Sequence, residues 1–544
     1  MKKSLIYLLL FFALPAYAQV MERVYITTDR PYYAAGETLY YSVFCLDDKA
    51  LPSELSAIAY LELYSESGLA ATAKAALSHG RGAGTLSIPS DLATGNYRLA
   101  AYTTLERGLE GIDLDKGART LSVYNTRQSA KAEGGIEWAE QLPASRAART
   151  VGPVEILSAD GDWSIRSSEG VSVSVSVFRE ESLPVYDAQD ATVFLNALRE
   201  SRTFNPVITP EYDGEILRAR VTDAAGQAMP ALVGTDIYLG CPGNDADIYA
   251  ASLGEDGSAT FYTANIFGDK EMAITLKEKP ADWQIQFDSP FVPIRVSGIP
   301  KMILAPDMEP ALARLGFAAQ VTGAFEADTL YQVLPFRQLS FTGADRVRYR
   351  LDDFTRLQTM REIFTEYLRE LRARRTDDGR TEIQVRCENR FNQIPVFQDN
   401  PSLMLLDGVP VPDHQTLIDY DPLLVKYIDV YPFEYAFGIT RYAGVANFVT
   451  YRGDMPSARL GGGVKIIDFH GVSYPLAITE DSFPAGHPRI RQTLRWDPLV
   501  SLGPGQELPL DIPRPESSGT YRIQVEGFTA DGQPVFQQVS VRIP

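Results

Sequence analysis

Short runs rich in Val, Ile and Tyr alternate with Gly, Asp, Asn and Pro turns along most of the chain, and this period-two patterning predicts a succession of β-strands. Residues 22–46, ERVYITTDRPYYAAGETLYYSVFCL, predict a strand, a turn built on Asp29, Pro31 and Gly36, and a second strand with Tyr41, Val43 and Cys45 on one face. The segments SAIAYLELYSESGLA and GTLSIPSDLATGNYRLAAYT add strands closed by Ser65 to Gly68 and by Gly95-Asn96. At 170–180, GVSVSVSVFRE alternates strictly, so it predicts a strand with one apolar face and one face in water. SSGTYRIQVEGFTADGQPVFQQVSVRIP predicts strands joined at Asp531-Gly532. One segment breaks the pattern: across 352–375, Phe354, Leu357, Met360, Ile363, Phe364, Tyr367, Leu368 and Leu371 recur at steps of three and four. With Asp352 and Asp353 at its start and Arg372, Arg374 and Arg375 at its end, it predicts an amphipathic helix aligned with its dipole.

The N-terminus reads MKKSLIYLLLFFALPAYAQ: two lysines, an apolar run from Leu5 to Leu14, and small residues at Ala16 and Ala18. This predicts a secretory signal peptide over 1–18, cleaved before Gln19. No Cys stands at the cleavage point, so a lipid anchor is not expected. No later run approaches the roughly 20 apolar residues of a transmembrane helix, so no transmembrane segment is expected in the mature chain. The chain has 544 residues, enough for three to five domains, and 45% hydrophobic residues can fill their cores. A net charge of −19 repels phosphate backbones and excludes nucleic acid as a partner class. Cys45, Cys241 and Cys387 are too dispersed for a metal knuckle.

The first strands carry Thr28, Asp29, Arg30, Pro31, Tyr33, Gly36 and Glu37 in the order TDRPxYxxGE. This stretch, 19–126, resembles the MG2 domain of the α2-macroglobulin family, and the later GNYRLAAYT fits it as well. Residues 127–150 are polar and Ala-rich and predict a linker. Residues 151–213 form a β-rich region, expected as a second macroglobulin-like domain. From Gly214, Val221, Asp223, Gly226 and Pro230, followed by Glu255, Asp256, Gly257 and Phe261, resemble the carboxypeptidase regulatory-like sandwich, here placed at 214–300.

In LMLLDGVPV two apolar strands meet at Asp407-Gly408, a pair suited to the positive φ values of a type I′ turn. Asn would serve this turn as well as Asp, so Asp407→Asn is expected to be nearly silent. With Val409 and Pro410, then Pro422, Val425, Ile428, Val430, Gly438, Gly444, Val445, Phe448 and Thr450 in order, the stretch resembles the plug of TonB-dependent receptors. The resemblance implies an α+β domain over 301–460, with the predicted helix preceding its central strands. A transporter of that family encloses its plug in a barrel of more than 20 strands, each about 10 residues long. The stretch 453–544 is too short for one, and 461–544 instead predicts an Ig-like sandwich.

The expected fold class is therefore mainly β and multidomain: macroglobulin-like or Ig-like sandwiches with one plug-like α+β domain. The group implied is one of secreted Gram-negative envelope proteins. Chemistry is sparse. Cys241, in LGCPGND, lacks the Glu and Gln of a thioester loop. His79, His414, His470 and His487 show no metal-ligand spacing, and no nucleophile elbow or phosphate-cradling loop occurs. Asp245, Asp247, Glu255 and Asp256 cluster around two turns and read as solvated acidic turns, with Ca²⁺ ligation the alternative. No catalytic residue, metal or cofactor is expected. Tyr435, Phe437 and Tyr442 are the candidate partner-binding residues, because aromatic surfaces favour protein interfaces, although core packing explains such rings as well. The expected function is non-enzymatic binding of an outer-membrane barrel or another envelope protein through the plug-like domain, as an accessory of a transporter or secretion channel. The alternatives are a surface adhesin or glycan-binding sandwich protein, and an envelope protease inhibitor or peptidase-associated protein. The location expected is periplasmic or outer-membrane associated.

Overall fold

The computed structural model describes residues 21–543 except 109–116, 128–134, 143–149, 160, 187–190, 200–207, 243–246, 279, 281, 292–297, 326–331, 335–345, 378, 389–393, 438–439, 454–462, 480–481 and 483–487. The signal peptide, Gly438, Asp245 and His487 lie outside the described residues. The chain is mainly β and divides into two compact units. One comprises 1–212, 293–334 and 473–544, and the other 213–292 and 335–472.

In the first unit, Glu22–Thr28, Thr38–Asp47 and Arg81–Ser87 form a three-stranded sheet. A five-stranded sheet of Tyr32–Ala34, Arg119–Tyr124, Gly95–Tyr102, Ile58–Ser65 and Gly68–Ala76 completes the sandwich. Ile26, Leu39, Val43, Leu61, Leu99 and Val123 belong to its core. The predicted second macroglobulin-like domain and the predicted C-terminal sandwich are one body. Val171–Arg179 pairs with Thr493–Leu502 on one side and Gly519–Thr529 on the other. Asp162–Ser167 likewise pairs with Glu507–Leu510.

The serine face of Val171–Arg179 is not wet. Val171, Val173, Val175 and Val177 fill the composite core, while Ser174 and Ser176 are buried against the first sandwich. Ser174 Oγ lies 2.8 Å from Thr27 Oγ1, and Ser176 donates to the Asp29 carbonyl. Small hydroxyl side chains allow close approach and satisfy the buried polar groups that contact creates. Residues 136–138 of the predicted linker form a strand, parallel to Met302–Leu304. A helix that the pattern did not predict, Glu309–Phe325, follows and buries Ala311, Leu315 and Ala318.

In the second unit, Ser258–Tyr262, Ile216–Thr222 and Gln284–Phe287 form one sheet. The other contains Asp247–Ser252, Asp236–Cys241, Asp269–Leu276 and Val464–His470, so its last strand comes from the stretch assigned to the C-terminal sandwich. The α+β part has a mixed five-stranded sheet in the order Val347–Arg350, Val425–Phe437, Thr440–Thr450, Leu403–Leu406, Val409–Pro410. Leu403–Leu406 runs parallel to Thr440–Thr450 and its neighbours are antiparallel. A second sheet joins Leu371–Arg375, Thr381–Glu388 and Pro395–Phe397.

The expected helix over 352–375 is only Met360–Glu366. Thr359 starts it, accepting from Glu362 N while Glu362 reaches back to Thr359 N, a reciprocal cap that leaves 354–358 outside. The arginine-rich end is instead a strand, because Leu371–Arg375 finds a hairpin partner in Thr381–Val385. Met360, Ile363, Phe364, Leu368 and Leu371 all enter the α+β core. Their spacing marked burial correctly and assigned the wrong backbone to most of the segment.

Candidate functional site

The TDRPxYxxGE residues form a buried, hydrogen-bonded knot in which Arg30 Nε and Nη1 have no hydrogen-bond partner among the described residues. Asp29 Oδ1 accepts from Tyr33 Oη at 2.7 Å and Tyr40 N at 3.1 Å, and Asp29 Oδ2 accepts from Thr493 Oγ1 of the composite sandwich at 2.5 Å. Arg30 lies 4.5 Å above the Tyr33 ring and 3.1 Å from Glu37 Oε1, while Glu37 Oε2 accepts from Ala34 N at 2.6 Å. Thr28 Oγ1 donates to the Arg30 carbonyl, Pro31 O accepts from Ser122 N, and Gly36 takes φ +91°. Burial pushes the carboxyls of Asp29 and Glu37 above their usual range, against the pull of Arg30. Nothing here faces a ligand. The motif joins two sandwiches.

The Asp407-Gly408 turn has φ +49° and +84°, as a type I′ hairpin requires. Asp407 does more than bend the chain. It is fully buried, its Oδ1 accepts from Thr450 N and its Oδ2 from Thr450 Oγ1, both at 2.7 Å. Gly408 N donates to Asn447 Oδ1 at 3.0 Å. The expectation that Asn would serve equally is therefore corrected: an amide has one acceptor oxygen where two are used. Beyond the turn, Val411 N donates back to Met404 O, and the residues alternating with Val409 and Val411 are Pro410 and Pro412. Prolines offer no outward N–H, so this sheet edge cannot donate to an added strand. Gly444, at φ +81°, lies against Val385, whose side chain a Cβ there would meet at 2.4 Å.

Tyr435, Phe437 and Tyr442 do not form a free surface. With Tyr238, Ile248, Leu403, Leu405, Tyr431 and Val445 they pack where the α+β sheet meets the regulatory-like sandwich. Tyr442 is buried and its hydroxyl bonds that of Tyr238, which also reaches Asp236 Oδ2 at 3.3 Å. Burial pushes the Tyr442 hydroxyl up to about 12. Alternation along Val425–Phe437 turns these rings onto the sandwich, which explains their concentration. Gly240 of the sandwich closes the same contact, since a Cβ there would meet Gly408 O at 3.1 Å and Pro410 Cδ at 3.3 Å. Tyr32, Tyr33, Tyr40 and Tyr41, a second aromatic cluster near the N-terminus, are buried too.

What stays exposed in the α+β domain is a different apolar set. Leu423 is 58% exposed, Leu424 39% and Tyr451 50%. Tyr451 N donates to Leu424 O, which places the three side by side, and Arg356 and Asp352 bond the Tyr451 hydroxyl at the rim. Sequence reasoning missed this patch. Asp421 caps a single 3₁₀ turn, Pro422–Leu424, that leaves both leucines outside.

A cleft of about 480 Å³ opens beside the hairpin, lined by Pro401, Leu403, Pro410, Val411, Lys277 and His414 among others. His414 Nδ1 accepts from Ile383 N at 2.9 Å, and burial pulls the imidazole down to about 4. Among the described residues no cluster of His, Cys, Asp and Glu could hold a metal, and no helix is long and apolar enough to cross a membrane. Cys45, Cys241 and Cys387 are free and buried, and burial pushes the thiols of Cys241 and Cys387 up to about 11.

No family model and no curated protein matches the chain. Among solved structures, the native Escherichia coli α2-macroglobulin aligns at 10% identity and TM-score 0.22, over 97% of this chain and 40% of that one. Salmonella α2-macroglobulin reacted with methylamine aligns at 10% identity and TM-score 0.16, over 96% and 23%. The Yersinia pseudotuberculosis adhesin InvE aligns at 11% identity and TM-score 0.14, over 48% and 57%. The chain spans two fifths or less of these macroglobulins, and at such scores the likeness fixes no activity.

Proposed function

We propose that this chain is a non-enzymatic envelope protein that binds a protein partner, an outer-membrane barrel or another envelope protein, through its plug-like α+β domain. The observation that carries the reading is the exposed patch of Leu423, Leu424 and Tyr451 on a domain whose Tyr431 and Tyr442 are buried in an internal contact. Contiguous apolar side chains with a polar rim are the usual anatomy of a docking surface. The predicted signal peptide directs the chain out of the cytoplasm, where such partners reside. The test is affinity purification of the tagged full chain from envelope membranes, beside a Leu423→Asp variant. Recovery of an outer-membrane or envelope protein by the parent and its loss with the variant, at unchanged melting temperature, is the expected result. Equal recovery by both removes this patch as the docking surface.

A further inference from the structure

The cleft beside the hairpin is built asymmetrically. Its wall of Pro401, Leu403, Pro410 and Val411 is apolar, while Lys277 and His414 bring hydrogen-bond donors to its lining from two separate segments. Since Ile383 N donates to His414 Nδ1, the neutral imidazole carries its proton on Nε2. That N–H has no partner among the described residues, and His414 lines the cleft. Lys277, just past the strand Asp269–Leu276, lines it as well, and its ammonium has no ion pair among the described residues.

The acceptors in the lining are largely committed. Glu382 Oε2 takes Arg374 at 2.8 Å and Gln384 Nε2 at 3.3 Å, Thr376 Oγ1 donates to Arg380 O, and the Tyr238 and Tyr442 hydroxyls bond each other. Ser402 Oγ donates to Ala443 O and accepts from Val385 N. Asp377, at the solvent edge of the turn, is the remaining carboxylate. Around a space of about 480 Å³, a size typical of small-ligand pockets, Lys277 and His414 Nε2–H are the donors left without a partner among the described residues.

We infer that this cleft binds a small ligand in which a carboxylate sits on an apolar body, the carboxylate held by Lys277 and His414 Nε2–H and the body laid along Pro401, Leu403 and Pro410. Such a group occurs on a fatty acid and on the free C-terminal residue of a peptide. Calorimetric titration of the full chain with octanoate and with N-acetyl-leucyl-leucine separates the two sources. Octan-1-ol, octylamine and the C-terminally amidated dipeptide serve as controls. Saturable one-to-one binding of either acid, with every control at least about tenfold weaker, is the expected outcome. Octanoate alone identifies an acyl source, and the peptide acid alone identifies a chain terminus. Lys277→Met, at an exposed position, should weaken the bound acid by at least about tenfold without moving the melting temperature. Absence of saturable binding by both acids overturns the inference. Equal affinity for octylamine or octan-1-ol, or an unaltered Kd in Lys277→Met, does the same.

Discussion

Replacing Asp407 by Asn isolates what the carboxylate contributes beyond the turn, because Asn tolerates positive φ as readily as Asp. Two 2.7 Å bonds tie Asp407 to Thr450 N and Thr450 Oγ1, and the carboxyl is out of contact with water. With its oxygen kept on Thr450 N, the amide presents N–H to a hydroxyl that already accepts from Gly453 N at 3.0 Å. One charge-assisted bond is lost and the other becomes a neutral one, a cost of about 1–3 kcal/mol. Amide hydrogen exchange followed by mass spectrometry reads this locally, without requiring all domains to unfold together. Peptides covering Leu403–Leu406 and Thr440–Thr450 should exchange about 10- to 100-fold faster in the variant, with the first sandwich unchanged. A Thr450→Val background should shrink the difference, since the hydroxyl partner is then absent in both. Exchange within twofold of the parent in Asp407→Asn would refute the claim that the carboxylate latches the hairpin.

Gly444→Ala should destabilise the α+β domain by about 3 kcal/mol, combining left-handed strain with a Cβ driven into Val385, and the same exchange measurement on Thr381–Glu388 reports it. His414 predicts an acid sensitivity. Its folded imidazole titrates at about 4, while the unfolded chain binds a proton near 6.5, so stability present above 6.5 is lost as pH falls towards 4. The loss approaches about 3 kcal/mol, and denaturation of the parent and of His414→Gln between pH 7 and pH 4 should diverge in that window; parallel profiles would contradict the assignment.

How much could be read from sequence follows the range of the interaction concerned. The Asp-Gly turn was legible because its φ values are set by two adjacent residues. Strand content was legible from alternation. The helix Glu309–Phe325 was not, since Gly316 and Gly323 interrupt it. Gly316 is there for contact with Thr126, which a Cβ would meet at 3.0 Å. The serines of GVSVSVSV looked solvated because no local signal reveals a second layer over them. The partner-binding reading of Tyr435, Phe437 and Tyr442 failed similarly: an aromatic strand has the same composition whether its cover is another protein or a neighbouring sandwich. The exposed patch of the α+β domain depended on the single turn capped by Asp421, which no hydrophobic periodicity marks.

The composite sandwich has a consequence for the order of events during synthesis and secretion. The strands of the first sandwich, from Glu22 to Tyr124, have their sheet neighbours within about the first quarter of the chain, so that domain can close early. Val171–Arg179 cannot. Its neighbours on both sides lie more than 300 residues later, at Thr493–Leu502 and Gly519–Thr529, and until they emerge it is an unpaired valine-rich strand with two open edges. Long-separation pairing of this kind is slow, and the waiting strand is an aggregation hazard. A chain exported before residues 493–529 are made would carry this strand across with both edges open until its two partners follow.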